Sequence, residues 1–374
     1  MSNIESKKVL ILSCGTGGGH NSAARAVREY LLEKNVEADF IEYLEITSKK
    51  IKDKINELYI SSTHNNGVVF EKIYGLGKLY QKTKLKSPVY QLNWLNRNRL
   101  YEYIKENKYD YIVATHLFPA QALTAIKKEH EIHFMAVATD YVSIPFWEET
   151  DPDYFIIPNK DLIKDFEEKG IEKEKLLPLG IPVGKAFGTN YDKNDAREEL
   201  KLNQNEKYIL ILTGSMGFGN VNQMLEELIN KVKDVNFIVS CGTNNKLHDE
   251  LQEKYKNRNN IIIIPFTKNI NIYMKASDII LSKPGGLTTT EIATLRKPFI
   301  HTMPIPGCEN DNANFFESRK MSLKCNTLEE VVEKTKELIS DEKLQKELVK
   351  NQEKYIDIKA SEKIANKIIE EIEK

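Results

Sequence analysis

The sequence predicts an α/β chain of two domains, each built on a doubly wound parallel sheet. Three observations carry that prediction. Short apolar runs alternate with longer amphipathic stretches along most of the 374 residues. The runs are near-continuous Ile, Val and Leu, the composition of parallel strands covered on both faces. Two of them, at 9–12 and 208–212, each lead into a glycine-rich loop and then a helical pattern, about 200 residues apart. The length also suits two domains, at roughly 100–200 residues each.

The whole-chain balance excludes several classes. Lys plus Arg number 54 and Asp plus Glu 55, so the formal net charge is −1. A chain that coats nucleic acid as a whole would be clearly basic, so no nucleic-acid partner is expected. No apolar run approaches the roughly 20 residues that cross a bilayer. The opening MSNIESKK leads straight into a strand-like run, without a charged-then-apolar leader. Cys14, Cys241, Cys308 and Cys325 have neither the number nor the spacing of a disulfide framework or a zinc site. These features lead us to expect a reducing, cytoplasmic setting.

The first strand, 9–12, ends in Ser13-Cys14-Gly15-Thr16-Gly17-Gly18-Gly19-His20. A Walker A loop needs Lys and then Ser or Thr after its last glycine. His20-Asn21 stands there instead, which argues against NTP hydrolysis of that type. A dinucleotide fingerprint needs a third glycine where this chain has His20, although Asp39 or Glu42 could imitate its ribose-binding acid. What remains is a loop poor in side chains whose N–H groups can approach a ligand, ending in an imidazole suited to general-base work near neutral pH.

The stretch 49–108 departs from the rest. It holds 13 Lys/Arg against five acids, a net +8, which leaves −9 in the remainder. Eight aromatics are interleaved, among them Tyr74, Tyr80, Tyr90 and Trp94. Cations with interfacial aromatics suit an anionic membrane surface, each cation adding about 1 kcal/mol there. A solvated helical insertion whose aromatics face the core has the same composition. Strand-like runs follow at 111–114 and 134–137, and the Gly/Pro/Asn/Asp-rich stretch 178–195 reads as the domain boundary.

The second half repeats the plan. The strand 208–212 runs into Thr213-Gly214-Ser215-Met216-Gly217-Phe218-Gly219, and further runs stand at 237–239, 261–264 and 279–281. After the last comes Lys283-Pro284-Gly285-Gly286-Leu287, and Thr288-Thr289-Thr290-Glu291 then opens a short helix. The glycines and threonine hydroxyls bring donors to a helix start, whose positive end favours an anion such as a diphosphate. Glu291, about one turn in, can accept both hydroxyls of a ribose. Compensation of the helix dipole would call for the same residue. From about Thr327 the chain is charged and helical, with apolar residues at helical spacing.

Four stretches, 15–24, 214–219, 282–291 and 306–316, occur in this order. Together they resemble the glycosyltransferase family, family 28, that includes the monogalactosyldiacylglycerol synthases and the bacterial processive diacylglycerol β-glucosyltransferases. Ala138-Thr139-Asp140-Tyr141 with Phe146-Trp147, the stretch 152–155, and Gly180-Ile181-Pro182-Val183 also resemble their acceptor-side domain. The resemblance runs from about residue 8 to 340. It implies a GT-B fold, two Rossmann-like domains facing across a cleft with a last helix crossing back. The domains are then expected at 1–185 for acceptor and membrane, 186–350 for the UDP-sugar, and 351–374 for the returning helix.

Carried onto this chain, the resemblance implies these roles. His20 is the first candidate for the base and Asp140 the second. Pro284, Gly285, Gly286, Leu287 and Thr288 would hold the diphosphate, with Gly214, Ser215 and Gly217 on its other side and Gly18 and Gly19 also touching the nucleotide. Glu291 would bind the ribose, Phe266 would border the uracil, and Glu309 and Asn312 would hold the donor sugar. Relatives usually have Gln where this chain has Cys308, which leaves the sugar open. The implied activity is inverting transfer of a hexose from UDP-glucose or UDP-galactose to diacylglycerol or a glycosyldiacylglycerol. It would occur on the inner face of the plasma membrane, with the anionic surface met through 49–108. No metal or other cofactor is expected, since helix and loop amides would stabilise the leaving diphosphate. A polyprenyl-linked acceptor, a UDP-N-acetylglucosamine 2-epimerase and a UDP-sugar sensor remain the other readings.

Overall fold

A computed structural model describes residues 7–15, 18–47, 86–188, 192–214 and 221–374. Ser215, Gly217 and the 49–85 part of the basic stretch lie outside the described residues. The chain forms two compact units that divide between Lys185 and Ala186.

The first unit holds six strands: β1 (Lys8–Ser13), β2 (Glu37–Glu42), β3 (Tyr111–Ala114), β4 (Phe134–Val137), β5 (Tyr154–Ile156) and β6 (Leu176–Leu177). They lie in the order β2-β1-β3-β4-β5-β6, and every neighbouring pair is parallel. Val9, Ile11, Val113 and Met135 form one core with Ala24, Val27 and Leu31 of helix Gly18–Glu33 and with Ile364 and Ile368 of helix Ala360–Ile372. The alternate residues Leu10, Leu12 and Ile112 are equally buried. Burial on both faces is why these strands read as unbroken apolar runs.

The C-terminal helix is therefore part of the first unit's core. The chain rejoins that unit at Asp357, six residues later than the expected 351. The reason is that Glu342–Tyr355 is one helix. The amide of Gln352 donates to the carbonyls of Lys297 and Met321, each at 2.9 Å, and so keeps that helix in the second unit. Where the chain returns, Ser361 Oγ accepts from the Val183 N–H at 2.9 Å and donates to the Val183 carbonyl at 2.8 Å.

The second unit also holds six strands: β7 (Tyr208–Leu212), β8 (Asn236–Ser240), β9 (Ile261–Ile264), β10 (Ile279–Ser282), β11 (Phe299–Thr302) and β12 (Leu323–Cys325). Their order is β12-β11-β10-β7-β8-β9, again parallel throughout. Ile209, Ile211, Phe237, Val239, Ile279 and Leu281 share a core with Leu225, Leu228, Leu251 and Val331.

Topology marks one place in each sheet. In the first unit β2 and β3 lie on opposite sides of β1, and in the second β8 and β10 lie on opposite sides of β7. Connections that leave in opposite directions open a crevice at the carboxyl ends of the central strands, where open α/β sheets hold ligands. The described segments that reach those ends are 14–15, 18–20 and 115–116 in the first unit, and 213–214 and 283–286 in the second.

Candidate functional site

In the first unit, His20 lies in the first turn of helix Gly18–Glu33, directly after the glycine loop. Its Nδ1 is 3.1 Å from the carbonyl oxygen of Thr115 and 2.8 Å from Thr139 Oγ1. A carbonyl oxygen only accepts, so the proton sits on Nδ1 and the lone pair on Nε2. Thr115 Oγ1 in turn donates to the His20 carbonyl at 3.1 Å. Burial lowers the pKa of His20, while the charge of Asp140 and the bond to Thr115 work in the opposite direction. The net effect is an imidazole that is neutral near pH 7, the state a general base needs. Asp140 lies three residues past the end of β4, one beyond Thr139. The two candidate bases thus belong to one electrostatic site.

The glycine loop has a packing reason as well. A side chain at Gly15 would collide with the carboxylate of Glu42, at the end of β2. Gly18 and Gly19 begin the helix, with Gly18 exposed. Glu42 therefore lies beneath the loop at Gly15.

In the second unit, Gly285 is the N-cap residue of helix Gly286–Thr294. A Cβ built on Gly285 would meet nothing within 4 Å. Packing does not demand this glycine, and its bareness leaves the helix start open to approach. The first bond of the helix joins the Thr289 N–H to the Gly285 carbonyl at 3.0 Å. The N–H groups of Gly286, Leu287 and Thr288 therefore have no intrahelical acceptor and face the positive end of the helix. Across the switch point, Gly214 has φ +80°, a left-handed conformation that suits glycine.

The structure revises two expectations here. Only Thr288 of the three threonines stays partly exposed. Thr290 Oγ1 donates to the Gly286 carbonyl at 2.6 Å, and Thr289 Oγ1 bonds His301 Nε2 at 3.1 Å. Asn312, expected at the donor sugar, is fully buried and its amide donates to the Pro284 carbonyl at 3.0 Å. It braces the Pro284–Gly285 turn from beneath. His301, fully buried, also bonds Ser322 Oγ at 3.1 Å, and burial drives its pKa to about 3, so it is a neutral strut between two hydroxyls.

Glu291 is half-buried, and desolvation raises its pKa to about 8. At neutral pH it is largely protonated and can both donate to and accept from a diol. Phe266, two residues past β9, is 59% exposed, one of few large apolar side chains in solvent among the described residues. Glu309 Oε2 accepts from the Ile305 N–H at 3.1 Å near the start of helix Cys308–Ser318. Among the described residues, no three or more His, Cys, Asp or Glu are gathered as metal ligands would be.

Sequence reasoning missed Thr115, His116 and Thr139 as parts of the His20 site, and His301 and Ser322 as supports of the helix start. A polar pair directly after an apolar strand run, as in Thr115-His116, was the available signal.

Comparison with known proteins follows the same division. Residues 20–183 match the model of the monogalactosyldiacylglycerol synthase domain, and residues 208–371 match that of the glycosyltransferase family 28 C-terminal domain. The chain is 28% identical over 333 residues to a processive diacylglycerol beta-glucosyltransferase of Staphylococcus saprophyticus, covering 88% of this chain and 84% of that protein. It is 27% identical over 373 residues to the protein of that name from Bacillus subtilis, covering 98% and 96%. Among solved structures, Acinetobacter baumannii MurG superposes with a TM-score of 0.65 at 17% identity, covering 97% and 99%. A Neisseria meningitidis UDP-GlcNAc 2-epimerase bound to UDP-GlcNAc superposes at 0.62 and 16% identity, covering 97% and 100%. At such identities the superpositions establish the fold, the two Rossmann-like domains of GT-B proteins.

Proposed function

We infer the activity from one premise: the chain belongs to the glycosyltransferase family that joins a monogalactosyldiacylglycerol synthase domain to a family 28 C-terminal domain. We propose that it transfers a hexose from a UDP-sugar, UDP-glucose or UDP-galactose, to diacylglycerol or a glycosyldiacylglycerol at an anionic membrane surface. The observation that carries this reading is the tautomer of His20, whose Nδ1 bond to the Thr115 carbonyl leaves Nε2 able to take a proton.

In this mechanism the acceptor hydroxyl attacks the anomeric carbon from the face opposite UDP and gives its proton to His20 Nε2. The bond to the diphosphate breaks with inversion. The N–H groups of Gly286, Leu287 and Thr288 meet the charge that develops on the leaving group, which is where preorganised donors lower a barrier. Gly214 keeps the backbone close to the nucleotide, Glu291 takes the ribose hydroxyls and Phe266 stacks on the base. Glu309 orients the sugar, and Asn312 acts on it only through the turn it braces. No metal is required.

Membrane contact draws support from the described part of the basic stretch. Helix Pro88–Leu95 ends in Trp94, 41% exposed, and Leu95, 66% exposed, and the Arg97 guanidinium lies 3.9 Å from the Trp94 ring centre. An indole and a leucine beside arginine suit the headgroup region.

The test is a lipid-product assay on vesicles of diacylglycerol and phosphatidylglycerol, offered UDP-glucose, UDP-galactose or UDP-N-acetylglucosamine. A glycosyldiacylglycerol is expected from one of the first two. Products on a polyprenyl carrier alone would replace the acceptor, and epimerisation of UDP-N-acetylglucosamine without vesicles would replace the reaction.

A further inference from the structure

One buried histidine has no part in the mechanism above. His116 follows β3, is 8% exposed, and is the N-cap residue of helix Leu117–Lys127. Its Nδ1 accepts the Phe118 N–H at 3.1 Å. Nδ1 is therefore unprotonated, and the neutral ring carries its proton on Nε2. The ring stands edge-on to His20, with centroids 4.6 Å apart and planes at 88°. It also meets Phe118 edge-on, at 4.7 Å and 82°.

We propose that His116 is a positioning residue for His20: it walls one side of the imidazole and, with Thr115, fixes the plane in which Nε2 receives the acceptor's proton. Thr115-His116 grips His20 three times, through the Thr115 carbonyl on Nδ1, Thr115 Oγ1 on the His20 carbonyl, and the His116 ring. Each contact constrains a different freedom: tautomer, backbone and ring plane.

The cap explains why the second ring is a histidine that does not compete for the proton. Protonating His116 Nδ1 would break its bond to Phe118, and burial together with neighbouring His20 holds its pKa well below the ordinary range. A proton arriving at the pair therefore goes to His20. The other ionisable group acting on His20 is Asp140, after β4, whose charge favours the imidazolium; Glu42, on β2, lies under Gly15. The arrangement thus gives one proton-accepting ring, one neutral ring beside it, and a carboxylate whose charge favours the protonated state.

The inference rests on His20 as the base, so its test needs a readout independent of turnover. Two substitutions separate the cap from the ring. His116→Asn keeps a cap acceptor but removes the ring, and His116→Phe keeps a ring but removes the acceptor. In the full-length enzyme on diacylglycerol vesicles, His116→Asn should keep the melting temperature while kcat falls about 10- to 100-fold, the scale of a modest misplacement. The KM for the UDP-sugar should not change. His116→Phe should melt lower yet recover most of kcat.

Removing the ring also admits water to His20. NMR titration of the histidines should then show the His20 pKa rising in His116→Asn toward the ordinary value of about 6.5, with the acid limb of the rate profile moving to higher pH alongside it. An unmoved His20 titration, or wild-type kcat in His116→Asn, overturns the proposal. So does a His116→Phe enzyme that is folded and as slow as His116→Asn. A fully active His20→Ala enzyme would instead defeat the base assignment. The two failures are distinguishable because the titration does not depend on turnover.

Discussion

The two switch points are built from different materials. The one in the first unit is made of side chains: His20, Thr115, His116 and Thr139 converge from the segments after three strands, with Asp140 acting on the imidazole. The one in the second unit presents backbone, the open N–H groups after Gly285, with its side chains turned inward as supports. The difference follows from the chemistry each is suited to. Moving a proton needs one group of tuned pKa at a fixed atom. Stabilising a diphosphate needs several donors at once and nothing in front of them. Each region should therefore fail in its own way when damaged.

The largest effect is expected at His20. His20→Ala should lower kcat by roughly 10²–10⁴-fold, the usual worth of a positioned base. The affinity for UDP, measured by calorimetry, should stay within about twofold. A parallel loss of UDP affinity would break the contrast, because the histidine would then belong to the nucleotide as well.

The converse variant is Asn312→Leu. It leaves the buried Pro284 carbonyl without the amide it accepts from, a cost of about 1–3 kcal/mol. The turn before the helix start loosens, so UDP affinity should fall about tenfold, while kcat at saturating UDP-sugar changes much less. Loss of kcat without loss of affinity would mean that Asn312 supports the reacting centre and not the turn.

Asn312 also shows how far the sequence could be read. The apolar runs were legible because parallel strands covered on both faces must be apolar throughout. The glycine loops were legible because clustered glycines stand between an apolar strand run and a helical pattern, at 15–19 and 214–219. Asn312 was placed at the donor sugar by the resemblance, and a motif position carries no information about burial. Its burial depends on a carbonyl 28 residues away in sequence. The His20 site was harder still: its partners stand 95 and 119 residues away, joined only once the sheet sets β1 against β3 and β3 against β4. The raised pKa of Glu291 was not legible at all, since desolvation belongs to the folded surroundings and not to the residue type.

That pKa gives a smaller, pH-dependent prediction for the second region. The folded value is about 8 and the unfolded one about 4.3, so the folded state holds a proton the unfolded state releases between them. The contribution is complete below about pH 4.3 and is lost as pH rises through 8. Glu291→Gln cannot titrate. Its melting temperature should match wild type near pH 4 and exceed it by a margin that grows as pH rises toward 8. A constant difference across that range would mean that a cation already compensates the carboxylate, and the second region would then carry a charged side chain that weakens its contrast with the first.

The smallest effect concerns metal. If the helix start alone meets the charge of the leaving diphosphate, EDTA should leave the rate unchanged and added Mg²⁺ should not raise it. The helix end supplies the equivalent of about half a positive charge, and the three N–H groups add directed hydrogen bonds. That combination can replace a divalent ion only where donors and diphosphate meet without an intervening side chain, the condition the bare Gly285 provides. A rate abolished by EDTA and restored by Mg²⁺ would require carboxylates to join the phosphate region. The division between a side-chain site for the proton and a backbone site for the phosphate would then have to be abandoned.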